Sequence, residues 1–162
     1  ECLIGKETNE LTEPAMLCLG VISKKLLSNK IDKVVLICHS QGTIIAANML
    51  RNLKRFGLNK KKYLKKLEIY AFANCATKMV YEKENYPYME SFANDNDIVA
   101  KMGCNCGIDL KSNSTIEING NIFITPNKSG HMFNTHYMNN FDKEYPRSKL
   151  LTYLPEKMNK NE

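Results

Sequence analysis

Apolar residues recur at helical spacing through Ala15, Leu19, Ile22 and Leu26, which predicts an amphipathic helix. Thr12 stands where a cap is needed, and Glu13-Pro14 suits a first turn, because Pro lacks an N–H that has no intrahelical partner there. Ser28 to Lys30 ends the helix. Val34-Val35-Leu36-Ile37-Cys38 is a continuous, β-branched run, the pattern of a strand buried on both faces of a parallel sheet. Residues 43–56 return to helical spacing, with Ala46, Ala47, Leu50 and Leu53 facing inward, and Gly57 stops them. Residues 67–72 and 88–93 predict two further strands, and 98–102 one helical turn. Residues 115–118 and 122–124 flank Asn119-Gly120, whose two residues suit the positive-φ positions of a type I′ hairpin turn. Residues 133–141 read as helix. The expected organisation is one domain over 1–145 and a loosely held polar tail over 146–162. Alternating helix and strand imply an α/β fold with a mainly parallel sheet and flanking helices. In such sheets ligands bind beyond the carboxyl ends of the strands.

Composition narrows the picture. At 162 residues, with 43% hydrophobic and 25% charged, the chain has the make-up of one globular domain. Its longest apolar run, residues 15–22, is far short of the roughly 20 residues a membrane-spanning helix needs. No basic-then-apolar leader is visible, and Cys18, Cys38 and Cys75 fall in apolar segments, where free Cys packs as a small core residue. An intracellular, cytoplasmic protein is expected on these grounds. The net charge of +6 comes from 20 Lys and 3 Arg, which argues against specific nucleic-acid recognition by Arg forks. Lys60, Lys61, Lys62, Lys65 and Lys66 are dense enough for weak contact with an anionic membrane, although a solvated helix end is the ordinary reading.

The candidate chemistry lies where the first strand meets its helix, at Cys38-His39-Ser40-Gln41-Gly42. A Ser on a sharp strand-to-helix turn clears the backbone, and the N–H of the next residue, Gln41, points at a developing oxyanion. The alternative is a Ser that merely caps the helix. Strand and helix pass closely there, so the residues two before and two after the Ser must be small. Gly42 fits; Cys38 stands where Gly is usual.

This stretch resembles the nucleophile elbow of the α/β-hydrolase superfamily, and Phe92-Ala-Asn-Asp-Asn-Asp-Ile-Val with Ser129-Gly-His-Met-Phe-Asn-Thr-His-Tyr-Met resembles a lipase-like fungal branch of it. The resemblance runs from about residue 13 to 141. It implies the chain order Ser, acid, His, with Ser40 as nucleophile, Asp97 as acid and His131 as base. Asp95 and His136 are the alternatives; as a turn-former, either Asp also suits Asn94-Asp95-Asn96-Asp97. His39, inside the elbow, is expected to be structural. The implied activity is a serine hydrolase cleaving a carboxylic ester, plausibly a lipid, through an acyl-enzyme, with no cofactor. Met79, Tyr81, Met132 and Phe133 are candidates for an acyl groove, or simply for the core. The family's strands before the elbow, and the second oxyanion donor they carry, have no counterpart here, so the fold is expected to be partial. A non-catalytic interaction protein on the same fold is the competing reading. A metal site at Cys104 and Cys106 has the wrong spacing for common zinc modules.

Overall fold

A computed structural model describes residues 10–81, 86–105 and 116–155. Helix α1 (Glu13–Leu27) leads into strand β1 (Val34–His39), helix α2 (Gln41–Asn52), a 3-10 turn (Leu53–Phe56), the short helix α3 (Lys61–Leu64) and strand β2 (Leu67–Phe72). Then come β3 (Lys78–Met79), β4 (Tyr88–Asn94), α4 (Ile98–Lys101), β5 (Glu117–Ile118) and β6 (Asn121–Thr125). A π-helical segment (Phe133–Met138), α5 (Phe141–Glu144) and a 3-10 turn (Lys149–Tyr153) follow. The main sheet has the order β1-β2-β4-β6, and every neighbouring pair is parallel. The fold is therefore α/β. No described helix is long and apolar enough to cross a membrane.

The two faces of the sheet are covered differently. Leu67, Ile69 and Ala71 of β2 pack under α1 and α2 with Leu19, Leu26, Met49 and Leu50. Tyr70 and Phe72 face the other way, into an aromatic cluster with Phe92, Tyr137, Phe141 and Tyr145. Strand β2 is buried along its whole length. Strand β1, expected to be buried on both faces, lies at the sheet edge and leaves Ile37 45% exposed.

The expected hairpin does not form. Strand β5 pairs with β3 and β6 pairs with β4, both in parallel, so the segments flanking Asn119-Gly120 belong to different sheets. Residue 115 lies outside the described residues. Gly120 alone of the turn pair has positive φ, at 88°, and a Cβ there would meet the Met89 carbonyl oxygen at 2.2 Å. The Gly permits a close passage beside β4 rather than a tight reversal.

The loosely held tail expected over 146–162 is a second correction as far as it is described, because residues 148–153 close the aromatic face, while 156–162 lie outside the described residues. Glu68 and Glu90, both fully buried, project from β2 and β4 and require donors. Glu68 accepts from Tyr70, Lys149 and Tyr153 and pairs with Lys33 at 2.7 Å. Glu90 accepts from Tyr88, the Ser148 hydroxyl and the Lys149 N–H. Segment 148–153 supplies four of these bonds, from Ser148, Lys149 and Tyr153, and buries Leu150. Burial alone would raise the Glu68 pKa, but its hydrogen bonds from Lys149, Lys33, Tyr70 and Tyr153 outweigh it and hold the carboxyl down at about 2. A folded-state pKa below the unfolded value of about 4.3 stabilises the fold above roughly pH 5, and that stability is lost as pH falls toward 2. Glu68→Gln is therefore expected to cost about 2 kcal/mol at neutral pH, with a smaller difference at pH 3, as read by urea denaturation. An equal difference at both pH values would count against this network.

Candidate active site

Three of the four parallel strands deliver a polar side chain to the same end of the sheet. Ser40 follows β1, Asp97 follows β4 by a short loop, and His131 follows β6. The Ser40 hydroxyl oxygen lies 2.9 Å from His131 Nε2, and His131 Nδ1 lies 3.0 Å from Asp97 Oδ2. Asp97 is 2% exposed, so its charge is compensated by hydrogen bonds rather than by water.

Ser40 sits in an unusual backbone conformation, φ 55° and ψ −126°. Its N–H donates to the Phe72 carbonyl at 2.9 Å, and its carbonyl accepts from the Thr43 N–H and hydroxyl at 2.9 and 2.7 Å. These bonds hold the turn while the side chain makes no helix-capping bond, which excludes the capping alternative. A Cβ on Gly42 would lie 3.7 Å from the Cys38 Cβ, an ordinary contact, so Cys is tolerated before the Ser. Burial pushes the Cys38 thiol well above its usual range, so it is an inert packing group. Gln41 opens α2, and a first-turn N–H has no intrahelical acceptor.

Proton positions follow from the partners. An ionised Asp97 can only accept, so Nδ1 of His131 carries the ring proton and Nε2 is left to accept from the Ser40 hydroxyl. Desolvation would raise the Asp97 pKa, but donors from Tyr137, His131 and the Val99 N–H outweigh it and hold the carboxyl below the usual range. His39 Nε2 lies 2.7 Å from the His131 carbonyl, which can only accept, so His39 donates, and its ring packs tilted against that of His131 with centroids 4.7 Å apart. Desolvation lowers the His39 pKa, in keeping with a neutral donor.

The alternatives lie elsewhere. Asp95 Oδ2 receives the Asn127 N–H at 3.5 Å, and no bond to His131 is made. His136 lies on the π-helical segment, where its Nδ1 accepts the Met132 N–H at 3.0 Å. Its ring packs on Gly130, whose φ of 105° and lack of a side chain both matter, since a Cβ there would fall 2.3 Å from the ring. His131 stands in the loop before that segment. Of the groove candidates, Phe133 packs on His39 and Phe72, and Met132 is 63% exposed. Met79 is core, and Tyr81 lines a separate cleft. Cys106 lies outside the described residues, and no cluster of metal-ligand type occurs among the described ones.

Tyr137 was not singled out in the sequence. Its fully buried hydroxyl donates to Asp97 Oδ2 at 2.7 Å and accepts the Asn94 N–H at 3.1 Å. Asn94 in turn donates through Nδ2 to the Gly130 carbonyl at 2.9 Å and the His136 carbonyl at 3.2 Å. These bonds tie the acid-bearing and His-bearing loops together. A Tyr six residues after a candidate His gives no sequence signal of this role, because its partner is 40 residues upstream. The chain matches no protein family, no curated protein and no solved structure.

Proposed function

We propose that this chain is a serine hydrolase of α/β-hydrolase type that cleaves a carboxylic ester. The observation that carries the reading is the unbroken relay from Ser40 through His131 to Asp97, mounted on a strained turn at the carboxyl ends of parallel strands. In the reaction, the Ser40 oxygen attacks the ester carbonyl as its proton passes to His131 Nε2. The Gln41 N–H and the positive end of α2 stabilise the oxyanion. His131 then protonates the leaving alcohol, and an acyl-Ser40 ester forms. Water, deprotonated by His131, releases the acid and restores the serine. Asp97 keeps the imidazole in the required tautomer and stabilises its charge. Ile98 and Met132, 78% and 63% exposed, directly follow Asp97 and His131, which supports an apolar acyl group and hence a lipid ester.

A fluorophosphonate probe tests the reading without knowledge of the substrate. We expect one covalent adduct on the folded chain, located at Ser40 by peptide mass mapping and blocked by prior treatment with an unlabelled organophosphate. Absence of an adduct on folded protein would favour the non-catalytic interaction module instead.

A further inference from the structure

Eight cations and no carboxylate stand between Arg51 and Lys66, in a chain whose net charge is +6. The rest of the chain is therefore slightly acidic, and the positive charge is gathered on the end of α2, the 3-10 turn and α3. Lys54, Arg55, Lys60, Lys61, Lys62 and Lys65 are all exposed, and among the described residues none of them pairs with a carboxylate. At the tip of the turn Phe56 is 55% exposed between Arg55 and Gly57, and Gly57 closes the turn in the left-handed conformation. Next to it lies a cleft of about 650 Å³ whose lining includes Arg51, Lys54, Arg55 and Lys78 around Leu50 and Val80. Lys78 pairs with Glu117 at 3.0 Å, and Arg51 donates to the Lys78 carbonyl at 2.8 Å, so the cleft wall is braced while its rim stays positive.

We propose that this face docks the protein on an anionic lipid bilayer, with Phe56 entering the interface and a headgroup phosphate held at the cleft rim. Clustered lysines are attracted to an acidic leaflet without needing a fixed geometry, and an exposed aromatic among them adds apolar burial that charge alone does not provide. A single-stranded RNA would call for open aromatic platforms. Two of the three tyrosines of this face are instead covered by lysines, Lys62 over Tyr63 at 4.7 Å and Lys61 and Lys65 over Tyr86 at 5.7 and 5.5 Å, and the third, Tyr81, lines the cleft. At about 1.5 Å per helical residue, Arg51 lies roughly 16 Å along α2 from Ser40, so docking leaves the candidate active site clear. The proposal stands independently of the hydrolase reading.

The test is sedimentation of the full chain with vesicles of phosphatidylcholine alone and of phosphatidylcholine with phosphatidylserine. Binding is expected to the acidic vesicles only, and to weaken as salt is raised. Changing Lys60, Lys61 and Lys62 together to Gln should lower partitioning about a hundredfold, at roughly fivefold per cation. Phe56→Ser alters no charge and should still lower it about fivefold. Lys54→Gln with Arg55→Gln should reduce it further than two cations placed elsewhere on the chain. Circular dichroism establishes that each variant is folded. Equal binding to neutral vesicles, no binding to acidic ones, or an unaffected Phe56→Ser variant would each overturn the proposal. Tighter binding to polyuridylate RNA than to acidic vesicles would overturn it in favour of a nucleic-acid partner.

Discussion

Ser40→Gly is expected to be about 1 kcal/mol more stable than Ser40→Ala. Both variants lose the hydroxyl and its bond to His131, so that contribution cancels between them. What differs is the backbone. At φ 55° and ψ −126° a residue with a Cβ is strained, by about 1–3 kcal/mol, whereas Gly is not. Against this stands the greater freedom of Gly in the unfolded chain, about 0.4–1 kcal/mol. Urea denaturation of the two variants measures the balance. Both variants should also lose ester hydrolysis by about 10⁴-fold or more, leaving only what binding and the oxyanion donor supply. If Ala proves the more stable, the turn is unstrained; if either variant keeps its activity, Ser40 is not the nucleophile.

Asp97→Asn is expected to lower kcat by about 10³–10⁴-fold, with little change in KM, while Asp95→Asn stays within about twofold. The carboxylate of Asp97 receives three donors, from Tyr137, His131 and Val99. An amide in its place offers one oxygen for all of them and turns an N–H toward His131. The imidazole would then shift its proton to Nε2, the atom that must accept from Ser40. Its donors hold Asp97 below the ordinary carboxylate range, which favours the ionised form that orients His131. Equal losses for Asp95→Asn and Asp97→Asn would mean the wrong carboxylate has been assigned.

Much of the molecule can be read from local pattern. The helical spacing of Ala15, Leu19, Ile22 and Leu26 and the β-branched run at Val34 are enough to place α1 and β1, because each element buries one recurrent set of positions. The elbow is legible for the same reason: a small–x–Ser–x–small pattern between strand and helix is a local steric requirement. Candidate partners could also be named, but only as pairs. Asp95 and Asp97, or His131 and His136, have the same chemistry and nearly the same place in the chain. Their separation rests on loop geometry: Gly130 admits the His136 ring beneath the loop, which leaves His131 to face Ser40.

The misreadings share one cause. Asn119-Gly120 has the local chemistry of a hairpin, yet β5 and β6 find better partners in β3 and β4, and propensity yields to long-range pairing. The segment after Pro146 looks like a solvated tail because its partners, Glu68 and Glu90, lie about 60–80 residues upstream. Local pattern suffices for the alternation of helices and strands, the sharp turn at Ser40 and the types of side chain that could act beside it, since these depend on spacing and on neighbours in the chain. Long-range packing settles which His meets Ser40 and which Asp meets that His, that Tyr137 and Asn94 hold them, and that the C-terminal segment closes the sheet. Those contacts join residues tens of positions apart, and nothing in local spacing encodes a distance across a folded sheet.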